Sequence, residues 1–240
     1  MKIQRLSGND TLPDFSVAIG ITFFIIIFYL LISSIPMILH LPSSNTFLMS
    51  MWGIFASSVM TSLLLWFILT RYRTYVIQLL KHPFNYFIKG LYYYLLFLPI
   101  LFLVMAFSFY IFKTINFTPE PQEIILLYLR TDSFYLMSII FFLSCIVAPF
   151  SEELIFRGMI YTGLKQRFSI PLSMILSSLI FALLHNEIFV MAGLFVFGIF
   201  LSYLFEKHKN LWLSISVHFF NNLFTTIIVF IFKYSKISGT

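Results

Sequence analysis

The chain of 240 residues is 60% hydrophobic and only 10% charged, with a mean hydropathy of +0.96. A water-soluble domain carries roughly 45–50% apolar and about 25% charged residues, so this composition excludes one and specifies an integral membrane protein. The net charge of +6 does not make a nucleic-acid surface, because the basic residues fall in short loops, and a single cysteine, Cys145, rules out an internal disulfide or a thiolate metal cluster.

Met1–Asp14 is polar and has no small-residue cleavage site. The apolar segment after it is too long for a signal peptide and is expected to stay as an anchor. Crossing the hydrocarbon takes about 20 mostly apolar residues in a helix. Such runs are expected at 15–40, 46–70, 90–112, 133–167, 171–187, 189–206 and 211–232. The fold class is therefore all-α, a polytopic bundle of about seven spans, or eight if Pro149 splits the fourth. Arg71–Gly90 is mixed, basic and aromatic, and reads as an interfacial segment on the membrane surface. Thr118-Pro119-Glu120-Pro121 marks a short outer loop. There is no soluble domain or internal repeat. Within one membrane domain, residues 1–125 supply N-terminal spans and residues 126–235 a core that carries nearly all the intramembrane polar groups.

In a seven-span arrangement Lys2, Arg5, Arg71, Arg73, Lys81, Lys89, Arg157, Lys165, Arg167, Lys207 and Lys209 fall on one side. Lys113, Arg130, Lys233 and Lys236 fall on the other. The excess of positive charge on the first side assigns it, and the N-terminus, to the cytoplasm.

The polar groups inside the spans are few. The fourth contains APFSEELIFRG at residues 148–158, which sets Glu152, Glu153 and Arg157 in apolar surroundings. An ionised group at the bilayer centre costs at least ~2.5 kcal/mol on insertion scales, so these residues need partners or a function. His185 ends the fifth span, and His218 and Asn222 lie on the last. Lys165–Pro171 makes a tight turn near Ser169. Glu152 and His185 then stand about 24 Å along their helices from that turn, at similar depth. His218 approaches the same level from the loop at Glu206–Lys209, somewhat less deeply. Glu153 and Arg157 are an i,i+4 pair in the favourable order and form a salt bridge along one stripe. Glu152 points about 100° away and meets only Phe156 at i+4, which leaves it free for other work. His218 and Asn222 share an i,i+4 face, and Asn221 lies off it.

EExxxR at 152–157, FxxxH at 181–185 and HxxxN at 218–222, in this order on successive helices, resemble the three motifs of the CPBP family. That family comprises CAAX prenyl endopeptidases and bacterial Abi proteins, which are intramembrane proteases. The resemblance covers roughly residues 130–230, and the first ~120 residues match only as generic spans. It implies that Glu152 is the catalytic glutamate, His185 its partner, and His218 and Asn222 the last conserved pair. It also implies a membrane-associated peptide or protein as substrate, within the cell membrane. Prenyl cleavage belongs to the eukaryotic branch, whereas many bacterial members process or resist peptides such as bacteriocins.

Peptide hydrolysis needs an activated water, a stabilised oxyanion and a proton for the leaving amine. No serine pairs with a histidine here, and Cys145 lies about two turns from Glu152, which disfavours a covalent route. HExxH is absent, because Asn186 and Glu187 follow His185. Two arrangements stay open. In one, without a cofactor, Glu152 is a general base, His185 helps hold the water, and His218 and Asn222 donate to the oxyanion. In the other, His185, His218 and Glu152 ligate Zn²⁺, whose bound water is the nucleophile. The first is favoured because Asn222 shares a face with His218 and amides seldom ligate zinc.

Two other classes compete. A proton-coupled transporter also uses buried Glu and His, but no inverted repeat or matched pair of broken helices is present. A non-catalytic bacteriocin-immunity or scaffold protein would keep the cluster only for packing. The topology has its own test. A cysteine introduced at Ser169, with Cys145 replaced by alanine, is expected to react with an impermeant thiol reagent from the cytoplasmic side of oriented vesicles. Labelling from the outer face would reverse the orientation.

Overall fold

The computed structural model describes residues 12–38, 46–118 and 122–237. Lys2, Arg5, residues 119–121 of the expected outer loop and the side chain of Lys236 lie outside the described residues. The described residues form nine helices and no strand. They are α1 (Phe15–Ile38), α2 (Thr46–Arg71), α3 (Arg73–Leu79), α4 (Pro83–Thr114) and α5 (Glu123–Arg130). After these come α6 (Phe134–Leu164), α7 (Ile170–Leu184), α8 (Ile188–His208) and α9 (Leu211–Ile237).

Five stretches are long and apolar enough to cross a membrane: Phe15–Ile32, Pro83–Thr114, Phe134–Leu164, Ile188–His208 and Leu211–Ser235. Shorter apolar helices at Ala56–Arg71 and Ile170–Leu184 bring the total close to the seven expected. The eighth span does not arise. α6 runs through Pro149 without a break, because the backbone before it loosens into a π-helix over Phe142–Val147. The third span begins at Pro83 rather than near residue 90, since proline is well suited to the first turn of a helix. The interfacial reading of Arg71–Gly90 is corrected accordingly. Its second half belongs to α4, and α3 turns Tyr75, Val76 and Leu79 into the core.

α6 is the axis of the molecule. Every residue from Leu154 to Leu164 is buried, enclosed by α1, α3, α7 and α9. A second core joins α4, α8 and α9 through Tyr94, Phe97, Phe197, Leu201, Leu213 and Val217. In lipid, apolar side chains give helices little reason to associate, so close packing at small residues matters more. Gly90 shows how close. A Cβ there would stand 2.4 Å from Ser216 Cβ on α9.

The basic turns gather at one end. Glu206 near the end of α8 pairs with Lys165 of the α6–α7 turn at 2.6 Å and with Lys209, and accepts the Tyr161 hydroxyl at 2.7 Å. Asn210, in the α8–α9 turn, donates to the Lys81 carbonyl at 2.7 Å, and Trp212 Nε1 donates to that of Leu80 at 2.8 Å. Two carbonyls past the end of α3 are thereby satisfied.

Gly90→Val is expected to destabilise the protein by about 1–3 kcal/mol through overpacking against Ser216. Thermal unfolding of detergent-purified protein measures it, and an unchanged midpoint would contradict the α4–α9 approach.

Candidate active site

Three helices bring the intramembrane polar residues to one place. Glu153, fully buried on α6, is the hub. Its Oε1 accepts from Arg157 Nη1 at 2.9 Å, one turn along the same helix, and lies 2.9 Å from His218 Nδ1 on α9. Arg157 Nη2 donates to the Gly198 carbonyl of α8 at 3.1 Å, and the guanidinium lies over the Phe181 ring, 4.8 Å from its centroid. The expected salt bridge is present. It is also more than a local pair, because it ties α6, α8 and α9 together.

Glu152 faces another way, as its 100° offset requires. Its Oε2 is 3.8 Å from His185 Nε2 and 3.8 Å from His218 Nε2. Neither separation is a hydrogen bond, and that buried oxygen accepts none from any described residue. His185 caps the C-terminal end of α7, which stops there as Asn186 turns to φ 52°, a conformation asparagine tolerates. The fifth span therefore ends three residues earlier than expected.

The hydrogen-bond partners fix both rings. His185 Nδ1 lies 2.7 Å from the Phe181 carbonyl, which can only accept, so Nδ1 carries the proton. His218 Nδ1 likewise donates to Glu153, whose oxygen already accepts from Arg157. In a neutral ring Nε2 is then an acceptor. Two imidazole nitrogens and a carboxylate oxygen thus converge, and the group that suits the space between them is a donor such as water. Phe181 sits under both rings, with centroids 4.5 Å from His185 and 6.0 Å from His218.

Asn222 is not part of this convergence. Its Nδ2, expected beside His218, donates instead to the Ser144 carbonyl of α6 at 2.8 Å. Its Oδ1 accepts from Asn221, which links the asparagine left off the face to the one on it.

The cavity at the site has walls the sequence did not reveal. About 460 Å³ lies between α1, α2, α6 and the end of α7, and Glu152 and His185 line it. Tyr29, Trp52, Ser57 and Met60 contribute from α1 and α2, whereas α9 does not reach it. The N-terminal spans are part of the site. Nothing in their sequence singles these residues out, because apolar side chains are the background of the whole chain.

The Zn²⁺ arrangement has donors of the right chemistry in His185, His218 and Glu152. Among the described residues, however, no three His, Cys, Asp or Glu side chains group closely enough to hold a metal ion.

A multi-pass helical membrane protein with a carboxyl–imidazole cluster in its core is the class that this fold and site define. Residues 134–224 match the family model described as type II CAAX prenyl endopeptidase Rce1-like, and this stretch carries all seven motif residues. The match is to that segment alone and says what it is similar to. A curated relative, "Putative membrane peptidase YdiL" of Bacillus subtilis (strain 168), is 30% identical over 84 residues. The aligned stretch is 35% of this chain and spans about a third, 34%, of that protein. No solved structure gives a significant match.

Removing either member of the buried pair strands the other. Glu153→Gln and Arg157→Leu are each expected to cost about 3–5 kcal/mol. The loss should appear as reduced folded protein in membranes and a lowered unfolding midpoint.

Proposed function

We propose that the protein is an intramembrane endopeptidase that hydrolyses a peptide bond of a membrane-associated peptide or protein with water activated by Glu152. The observation that carries this reading is the convergence of Glu152 Oε2 with two imidazole nitrogens beside a cavity that Glu152 and His185 line. The family match of the segment that holds them supports it.

The roles follow from which atoms are already committed. Glu153 is fully buried and engaged by Arg157 and His218 through Oε1, whereas Glu152 keeps 27% side-chain exposure, lines the cavity and has an Oε2 that accepts no hydrogen bond. A water between Glu152 and His185 gives one proton to Glu152 and directs the other at His185 Nε2. Its oxygen attacks the substrate carbonyl carbon. The oxyanion that forms needs a donor, and His218 Nε2, 3.8 Å from Glu152 Oε2, is the candidate. To donate, that ring must carry protons on both nitrogens, and its positive charge then faces the Glu153 carboxylate at 2.9 Å. When the C–N bond breaks, Glu152 returns its proton to the leaving amine. Water and peptide give a carboxylic acid and an amine, and no proton is left over.

The transporter and immunity readings lack an observation of this kind. Proton conduction calls for a relay that continues beyond the cluster. Among the described residues, hydrogen bonds from the cluster run to the Gly198 carbonyl through Arg157 and to the Phe181 carbonyl through His185.

Cleavage of a membrane peptide library by purified protein in liposomes tests the proposal. Glu152→Gln is expected to lower kcat at least a hundredfold at matched folded amounts. Wild-type activity should persist after chelation, with no stoichiometric zinc by elemental analysis. Full activity in Glu152→Gln would sink the assignment, and chelator-sensitive activity restored by Zn²⁺ would replace it with the metal arrangement.

A further inference from the structure

Just ahead of the two carboxylates α6 leaves α-helical geometry. Over Phe142–Val147 it is π-helical, with N–H groups reaching five residues back, and the Ala148 N–H extends this pattern to the Leu143 carbonyl. The next link would join residue 149 to the Ser144 carbonyl. Residue 149 is proline and has no N–H to give. Inside a membrane-spanning helix no lipid group can take its place. Asn222 Nδ2 does, crossing from α9 to donate to that carbonyl at 2.8 Å.

The same helix meets the same need again. Its second π-helical stretch covers Leu154–Tyr161, and there too side chains reach the carbonyls. Thr162 Oγ1 donates to that of Arg157 at 2.9 Å, and the Tyr75 hydroxyl of α3 donates to that of Gly158 at 3.2 Å.

We propose that Asn222 is a positioning residue: its amide supplies the hydrogen bond that Pro149 cannot, and so fixes the π-to-α junction that aims Glu152 and Glu153. A π-turn holds one residue more than an α-turn and rotates everything after it by about 100°. Glu152 and Glu153 follow Pro149 by three and four residues. Were the junction to relax, Glu153 would leave Arg157 and His218, and Glu152 would turn away from His185. The oxyanion role that the metal-free arrangement gives to Asn222 is not needed for the residue to be indispensable. Its effect on catalysis rests on the protease reading, whereas the capping of Ser144 does not.

A double-mutant cycle decides the matter, with Asn222→Leu, Pro149→Ala and the pair together. Asn222→Leu removes the donor, and Pro149→Ala restores an N–H in the position to reach Ser144. Asn222→Leu alone is expected to lower the unfolding midpoint and, at matched folded amounts, to reduce kcat at least tenfold with KM unchanged. Adding Pro149→Ala should recover most of both. Recovery of the midpoint without recovery of kcat would overturn the positioning role in favour of direct action on the reaction. Additive losses would overturn the capping itself. If wild-type protein cleaves no peptide, the protease reading fails by itself, and the midpoints alone judge the capping: recovery sustains it and additivity removes it. Should Asn222→Leu not accumulate, accumulation of the double variant sustains the proposal and its absence overturns it.

Discussion

One carboxylate oxygen governs the interior of this protein. Glu153 Oε1 accepts from Arg157 along its own helix and from His218 across the bundle. A buried pair of this kind is poor evidence for stability, since desolvating both ions costs several kcal/mol each. Its value lies in geometry. The guanidinium also reaches the Gly198 carbonyl, so a rotation or slide of α6, α8 or α9 breaks a charged hydrogen bond where no water can replace it. Apolar packing in lipid cannot set register with that precision, because leucine against leucine is little better than leucine against an acyl chain.

From that constraint the rest of the site follows. Adjacent residues on a helix point about 100° apart, so fixing Glu153 inward fixes the direction of Glu152 as well. One carboxylate is spent on structure and its neighbour is delivered to the cavity wall. Burial separates them equally well. Glu153 and Arg157 are sealed at 0% and 1% side-chain exposure, whereas Glu152 and His185 keep 27% and 28%. The cluster has a dry floor and an open rim.

Much of this was legible in the sequence, for a physical reason. In a chain that is 60% hydrophobic, each charge within a span is conspicuous, and helical periodicity then says which of them can meet. The pairing of Glu153 with Arg157 and the common depth of Glu152, His185 and His218 came from spacing alone. What stayed hidden depends on backbone departures or on apolar surface. No periodicity announces a π-helical stretch, so Asn222 was read by its face and not by the carbonyl it reaches. Tyr75 was lost in a segment whose mixed composition suggested the membrane surface, although its hydroxyl required a buried partner. Tyr29, Trp52 and Met60 carry no signal in a background of similar side chains.

Under the proposed hydrolysis, those wall residues decide how reactants arrive. Water and substrate must both reach Glu152 and His185, which line the cavity, while His218, at 5% side-chain exposure, lies behind them. Approach is therefore from the side of α1 and α2, and a peptide bond entering there meets the water-holding pair before the oxyanion donor. That order suits hydrolysis. The water would be held at the cavity wall, and the group that stabilises charge lies deeper in the protein, where lower polarity strengthens each hydrogen bond it makes. The N-terminal helices, which lie outside the matched segment of residues 134–224, then set the width and chemistry of the entrance.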